Sequence, residues 1–247
     1  MRIPDKPKPV ETSLSKYKFL VYGAPGAGKS TLASKFPDAV FVATEPGLNY
    51  LEVSTMTDDE GNPVIMKNWT EFCQAIRLLV TEKHKYKTVV IDTVDNALEF
   101  CALHVLKSRE IEHESDEGFG KGYNLITREF KKVLNHLAAA GFGVVFISHE
   151  KTSERETKGI KRSYTDTSLS TGGRNFINGL VDFIFYCYQD NDHHRLMLTK
   201  ATLNLNAKDR TGHLPAQMPI DFPTLEKELK IAFKKKAEQD KLEGGKT

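Results

Sequence analysis

Cysteine is scarce in this chain, and its scarcity excludes two classes of protein. The 247 residues include only three cysteines, Cys73, Cys101 and Cys187, which lie far apart and are odd in number. This spacing fits neither a disulfide framework nor a zinc site, and it is typical of proteins in a reducing cytosol.

Long hydrophobic runs and an excess of one charge are also missing. No apolar run approaches the roughly 18 residues of a membrane-spanning helix, and the first 15 residues carry lysine and proline without the apolar core of a secretory signal. We therefore expect a cytoplasmic protein. The 35 basic and 33 acidic residues give a net charge of +2, so any surface that binds nucleic acid must be local.

Apolar runs that suit buried strands alternate with segments of helical periodicity. This alternation predicts an α/β fold with a mainly parallel central sheet, helices on both faces and an antiparallel C-terminal strand pair. The expected strands are 17–22, 39–44, 88–91, 143–147, 181–188 and 195–200, and the expected helices are 28–36, 69–82, 94–107, 123–140, 176–180 and 222–241. Residues 53–66 read as a hairpin and residues 150–173 as a long charged loop.

The sequence predicts that the chain is organised in three segments. Residues 1–16 form an N-terminal tail, residues 17–222 form one α/β core, and residues 223–247 form a charged C-terminal helix and tail.

The segment after the first predicted strand fits the pattern G-x-x-x-x-G-K-[ST] without a mismatch. Small residues with permissive φ angles let backbone N–H groups converge on phosphate oxygens, and the positive end of the next helix favours the same anion. Lys29 is expected to neutralise β- and γ-phosphate charge, and the Ser30 hydroxyl to bind Mg²⁺. The alternative is a glycine-rich turn that happens to contain a lysine. The residues predicted to hold ATP are Gly23, Ala24, Pro25, Gly26, Ala27, Gly28, Lys29, Ser30 and Thr31.

Polar residues also stand where three other predicted strands end. Asp92 at the end of the third strand is a candidate Mg²⁺ ligand together with Ser30, or else a helix N-cap. Glu45 at the end of the second strand is positioned to polarise an attacking water, or else belongs to a turn before Pro46. Ser148 and His149 after the fourth strand are candidate γ-phosphate sensors, or else a strand-end cap.

Several of these residues carry a resemblance to a known family. The segment IDTVDNAL at 91–98 resembles the second nucleotide motif of RecA-type ATPases, TGGR at 171–174 resembles the segment that closes the RecA DNA-binding loop, and Glu45 has the place of the RecA-type catalytic glutamate. With the phosphate loop, over roughly residues 15–222, the chain resembles the short phage-encoded RecA-like ATPases of the phage nucleotide-binding protein family. This family includes the Sak-type single-strand annealing ATPases.

The resemblance implies a RecA-like P-loop NTPase fold whose fourth strand lies between the first and the third. It also implies an ATP hydrolase that uses Mg²⁺, with Glu45 as the catalytic base, and DNA-dependent activity in recombination or annealing in the cytoplasm of a bacterial host. The chain lacks the extra N-terminal and C-terminal domains of full bacterial RecA, so the resemblance does not by itself imply unaided homology search or strand exchange. Thr93 follows Asp92 where AAA+ loaders and motors have a glutamate.

A pair of cations near the C-terminus resembles another part of these ATPases. Lys208 and Arg210 resemble the finger that ring and filament ATPases insert into a neighbour's nucleotide site to stabilise transition-state charge. A homo-oligomer, ring or filament, with nucleotide at its subunit interfaces would follow. Lys200 is a second candidate for the finger, and a surface charge cluster is the alternative.

The basic stretch KTSERETKGIKR at 151–162 is the candidate interface for single-stranded DNA, because its cations could neutralise phosphates next to the sensor strand. A solvated charged loop is the alternative, and a single-strand-binding protein is a further candidate partner. The residues predicted to bind DNA are Lys151, Arg155, Lys158, Lys161, Arg162 and Arg174.

Two other functions remain open from the residues alone. One is a protein that binds ATP as a switch for assembly or for loading a replication protein. The other is a P-loop small-molecule kinase, in which the basic stretch would form a lid over the phosphate acceptor.

Overall fold

The computed structural model describes residues 3, 8–110, 121–157 and 159–244. A 3-10 turn (Leu14–Lys16) precedes the first strand. The strands are β1 (Lys18–Gly23), β2 (Ala39–Ala43), β3 (Ser54–Thr55), β4 (Thr88–Asp92), β5 (Gly143–Thr157), β6 (Ile160–Thr167), β7 (Phe183–Gln189), β8 (Arg195–Leu198), β9 (Lys208–Asp209) and β10 (Gln217–Pro219). The helices are α1 (Lys29–Ala33), α2 (Trp69–Thr81), α3 (Val94–Ser108), α4 (Lys121–Ala139), α5 (Thr171–Leu180) and α6 (Phe222–Gly244).

The central sheet has the order β10-β8-β7-β1-β5-β4-β2-β3. The pairs from β7 through β1, β5, β4 and β2 to β3 are parallel, whereas β8 pairs antiparallel with β7 and with β10. The predicted α/β fold is therefore confirmed, including the C-terminal antiparallel pair. The fourth predicted strand, now the first part of β5, lies between β1 and β4 as the resemblance implies.

Both faces of the sheet are covered by helices. Apolar residues of α2, α3, α4 and α5 form one core with the sheet, and those of α1 and α6 form the other. The continuous apolar runs of β1, β4 and β5 are explained by this double burial, because side chains on both sides of each strand pack against helices. None of the helices in the described part combines the length and the apolar character needed to cross a bilayer.

The C-terminal helix is charged on one side and apolar on the other. Leu225, Leu229 and Phe233 of α6 are buried in the second core, and the Phe233 ring stacks on Tyr17 with ring centroids 4.7 Å apart. Whether residues 1–16 and 223–247 are units separate from the core stays a prediction.

The interpretation of residues 150–173 as a loop is wrong. Beyond His149, β5 leaves the sheet and pairs antiparallel with β6 as a two-stranded ribbon, from Glu150–Thr167 to Thr157–Ile160, and α5 follows. Most ribbon side chains are exposed on both faces, so the strands lack the alternation of apolar and polar residues that marks a half-buried strand.

Two smaller expectations also change. Residues 53–66 contain one antiparallel bridge, between Thr57 and Pro63, but β3 joins the sheet edge parallel to β2 rather than forming a regular hairpin. The first helix spans Lys29–Ala33 and is shorter than the predicted 28–36.

Candidate functional site

The phosphate loop connects the end of β1 to the start of α1. Gly23 has a φ of +148°, and a Cβ on it would lie 1.9 Å from the carbonyl oxygen of Cys187 on β7. Gly28 precedes α1 with a φ of +98°. Both positions require glycine, one because a neighbouring strand is too close and the other because the backbone is left-handed. This explains the outer glycines of the motif in physical terms.

Lys29 points back into the loop. Its ammonium donates to the carbonyl oxygens of Gly23 and Ala24, each at 2.8 Å, and the residue is 7% exposed. Burial lowers the pKa of Lys29, and nearby charges, among them Asp92 and Glu45, oppose this. The cation is thus held inside the loop, in a position to neutralise the charge of a bound phosphate.

Ser30 and Asp92 lie side by side, as the sequence predicts. The Ser30 hydroxyl donates to Asp92 Oδ2 at 2.7 Å, and Asp92 is buried. Burial raises the pKa of Asp92, whereas the hydrogen bond from Ser30 and the charge of Lys29 lower it. A hydroxyl and a carboxylate are hard oxygen donors of the kind that Mg²⁺ prefers. The residues present therefore fit Mg²⁺ with ATP.

Thr44 fixes the end of β2 to the end of β4. Its backbone N–H donates to Asp92 O, its hydroxyl donates to Thr93 O, and the same hydroxyl accepts from the Thr93 N–H, all at 2.8 Å. This exchange places Glu45, the next residue of the chain, at the same edge of the sheet as Asp92.

Glu45 lies between two polar side chains. Its Oε2 is 3.2 Å from Nε2 of His149 and 3.3 Å from Nδ2 of Asn96, and its side chain is 30% exposed. In the sheet His149 lies opposite Gly23. The structure thus brings the predicted base, one predicted sensor and the phosphate loop to one edge.

The predicted sensor pair Ser148 and His149 is divided between two environments. Ser148 is fully buried, and its hydroxyl donates to Asp95 Oδ1 at 3.0 Å. Asp95 also accepts the His149 N–H at 3.2 Å and a short hydrogen bond from the Ser168 hydroxyl. Burial raises the pKa of Asp95, and these three hydrogen bonds lower it. His149 is the member of the pair whose side chain faces the site.

The predicted finger residues lie away from the chain's own phosphate loop. Lys208 pairs with Ile184 near the amino end of β7, and its ammonium donates to the carbonyl oxygens of Asn178 at 2.8 Å and Val181 at 2.6 Å. Lys208 therefore binds the C-terminal end of α5 in its own chain, and its part in a finger stays a prediction.

Arg210 and Lys200 each form an ion pair within the chain, but they differ in exposure and in partner. Arg210 is 56% exposed and 3.4 Å from Asp182 Oδ1, so its role on a neighbour's site stays a prediction. Lys200 forms an ion pair at 2.7 Å with the buried carboxylate of Asp209, which ties this second candidate to its own chain.

The predicted DNA residues do not form one surface. Residues paired across the ribbon share a face, which puts Lys151, Arg155 and Arg162 with Tyr164 on one side. We call this side the basic face. Lys161 lies on the opposite side, with Glu154 and Glu156, so it is not part of the basic face and its contact with DNA stays a prediction. Lys158 lies outside the described residues.

The buried carboxylate of Asp166 contacts two arginines, one on the basic face and one on α5. Asp166 Oδ2 is 3.5 Å from Arg155 Nη2 and 3.5 Å from Nε of Arg174 on α5. The Arg155 guanidinium also lies over the Tyr164 ring, 3.4 Å from its centroid. Arg174 is therefore connected to the ribbon through a shared partner, and its contact with DNA stays a prediction.

Sequence reasoning missed Asn96 and Arg195. Asn96 comes next to Asp95 on α3 and carries no motif of its own. Arg195 begins β8, with its Cδ 3.4 Å and its Nη1 3.7 Å from the position that a Cβ on Gly28 would take. It reaches the phosphate loop only through the order of strands in the sheet, so no local signal could have found it.

Comparisons with known proteins identify one matching family, one related protein and one similar solved structure. The chain is 25% identical, over 151 residues, to the SPbeta prophage-derived uncharacterized protein YorG of Bacillus subtilis (strain 168); the match covers 58% of this chain and 44% of that protein. The chain thus matches less than half the length of this relative. The crystal structure of the RadB recombinase matches with a TM-score of 0.43 and 15% identity, over 77% of this chain and 83% of that chain.

The family match covers most of the chain. A family model described as an AAA domain matches residues 15–211, a span that contains the phosphate loop, Glu45, Asp92, the ribbon and Arg210. Together with the motif and the geometry of Lys29, Ser30 and Asp92, this match shows that the chain belongs to the AAA domain family of P-loop NTPases.

Proposed function

We propose that this chain is a Mg²⁺-ATP-dependent ATPase that binds single-stranded DNA and acts in phage recombination or single-strand annealing, in the manner of the Sak-type ATPases. One observation carries the proposal: β5 runs without a break from the edge of the nucleotide site, through His149, into a ribbon with a basic face. The similarity to a prophage-derived protein supports the phage setting.

The chemistry assigned to the site uses the residues at the sheet edge. When bound, Mg²⁺-ATP supplies the γ-phosphoryl group that water attacks. Lys29 neutralises phosphate charge, and Ser30 and Asp92 hold the metal. Glu45 orients the water and takes its proton. His149, 3.2 Å from Glu45, holds the carboxylate in place and connects it to β5.

The basic face is suited to a phosphate backbone. Lys151, Arg155 and Arg162 lie on the same side of the ribbon, and all three are exposed. Because the strand that carries Lys151 and Arg155 begins beside the nucleotide site, we expect the ribbon to respond to the γ-phosphate. Binding of single-stranded DNA should accordingly be tighter with ATP than with ADP.

The first prediction concerns the two sides of the ribbon. Replacing Lys151, Arg155 and Arg162 with alanine should flatten the log–log salt dependence of single-stranded DNA binding by about 2, since each neutralised phosphate contributes about 0.7 for single strands. The matched control is Lys161→Ala, which removes one cation from the opposite side and should leave the slope nearly unchanged. ATP affinity should stay the same in both proteins. A slope that responds to Lys161 as strongly as to the triple change would contradict this surface.

The second prediction concerns a finger acting between subunits. Arg210→Ala protein should bind ATP and DNA but fail to hydrolyse ATP, because the missing cation acts on a neighbour's site. Glu45→Gln protein should also fail to hydrolyse ATP, because it lacks the catalytic base. A mixture should recover part of the ATPase activity, since only mixed assemblies pair an intact Glu45 with an intact Arg210. If no mixture recovers activity and the protein stays monomeric with ATP and DNA, a monomeric switch is the better description.

Single-turnover ATP hydrolysis with and without single-stranded DNA tests the function as a whole. The proposal expects hydrolysis that DNA accelerates. Binding of ATP without turnover would support an assembly or loading switch instead, and transfer of the γ-phosphoryl group to a small acceptor would support a kinase.

A further inference from the structure

A cleft of about 880 Å³ opens between α3, α4 and the junction of β6 with α5. This volume is within the usual range for pockets that bind small organic groups, about 300–1,000 Å³. Its walls come from core elements, so its shape is set by the packed fold rather than by the ribbon.

The lining of the cleft excludes an anion. Among the described residues that line it there is no lysine, arginine or histidine, whereas two carboxylates, Asp95 and Glu99, are present. The remaining surface combines the amides of Asn96 and Asn124, several hydroxyls and apolar side chains, with the ring of Tyr123 46% exposed. Such a lining is complementary to an uncharged, planar group with hydrogen-bonding edges.

The first turn of α5 forms a fixed wall of the cleft. A Cβ on Gly172 would lie 2.4 Å from Thr127 Oγ1, and one on Gly173 would lie 2.6 Å from Leu98 Cδ2. Both distances are shorter than real Cβ contacts, so a side chain at either position would force Thr127 or Leu98 to move; the glycines let α5 pack this closely against α4 and α3. Thr171 and Gly172 of the TGGR segment thus form part of one side of the cleft.

Cations stand beside the opening rather than inside it. Arg174 follows this glycine pair on α5, and Asp166 joins it to Arg155 of the basic face. A single strand whose phosphates contact Arg174 would pass close to Gly172, which lies two residues earlier on α5 and lines the cleft.

We propose that the cleft takes one unstacked base of the single strand whose phosphates lie along the basic face. This inference rests on the proposed function, since it needs the strand on the ribbon. Tyr123 supplies the stacking surface, and Asn96 and Asn124 supply hydrogen bonds to the edges of the base.

A base in this cleft would contact the network around the catalytic site. Asn96 lines the cleft and donates to Glu45 Oε2 at 3.3 Å. Asp95 also lines it and accepts the backbone N–H of His149. A nucleobase in the cleft would therefore affect Asn96 and His149, the two residues that position the catalytic base Glu45. Through this contact DNA could influence ATP hydrolysis independently of its phosphate charge.

Binding of the full chain to two oligonucleotides of equal length tests the proposal, one of thymidylates and one abasic. Stacking of a base on an aromatic ring is worth about 1–3 kcal/mol, so Tyr123→Ala should weaken thymidylate binding by about tenfold and leave abasic binding and the salt slope unchanged. Ala102→Phe, which fills the cleft, should act in the same direction. Leu103→Ala is the matched control, because Leu103 is an exposed apolar residue on α3 outside the cleft.

The outcomes separate this inference from the proposed function. If Tyr123→Ala discriminates between the two oligonucleotides as well as the unchanged protein does, the base site is overturned while DNA binding stands. If the unchanged protein binds neither oligonucleotide, the proposed function itself fails. Since Tyr123 is exposed, its truncation should leave the fold intact, and the test stands even where Ala102→Phe does not fold.

Discussion

Lys29→Ala should reduce ATP turnover by at least about 10²-fold, the loss seen when one well-placed charge-stabilising donor is removed from an active site. The lysine ammonium is already fixed in the phosphate loop by the Gly23 and Ala24 carbonyls, each at 2.8 Å. Little reorganisation is thus needed for it to reach β- and γ-phosphate oxygens. Steady-state phosphate release and equilibrium ATP binding are the two measurements.

A matched control separates this effect from a general loss of charge. Lys35 lies just past the end of α1 and is exposed, so Lys35→Ala makes the same chemical change outside the loop and should leave turnover unchanged. Turnover by Lys29→Ala protein at the level of the unchanged protein would overturn the assignment of the phosphate loop.

The parallel core of the fold could be predicted because its signals are local. Strands buried on both faces are continuously apolar, as in 17–22, 88–91 and 143–147, and the phosphate motif directly follows 17–22. Strand ends then place Glu45, Asp92 and His149 at one edge, since parallel strands share a direction. The Ser30–Asp92 pair was predictable for this reason.

The ribbon and the cleft could not be predicted because their signals are not local. In β5 the alternation separates Lys151 and Arg155 from Glu154 and Glu156, rather than apolar from polar residues, and the face that each β6 residue shares is known only from the pairing register. The partners of Asp95 come from two separate parts of the chain, Ser148 and His149 on β5 and Ser168 between β6 and α5. The capping role of Lys208 likewise depends on where α5 ends. Such contacts follow from the packed fold and leave no pattern in the sequence.

Glu45→Gln should lower kcat by about 10²–10⁴-fold, the usual contribution of a general base, while ATP binding stays close to that of the unchanged protein. The amide keeps the size of the carboxylate and can still bond to His149 and Asn96, so the loss isolates the proton transfer. Glu52→Gln is the matched control, because Glu52 is exposed, belongs to no motif and, among the described residues, has no hydrogen bond to the site.

Asp95→Asn provides the decisive comparison for the base. Asp95 is the other carboxylate near His149, but it accepts three hydrogen bonds from the chain itself, so its oxygens are engaged in joining α3 to β5 and to the connection between β6 and α5. We therefore expect Asp95→Asn to weaken the response of hydrolysis to DNA and the stability of the fold more than the chemical step measured without DNA. Single-turnover rates with and without single-stranded DNA distinguish the two roles. Normal hydrolysis by Glu45→Gln protein together with a dead Asp95→Asn protein would move the catalytic base from the end of β2 to the start of α3.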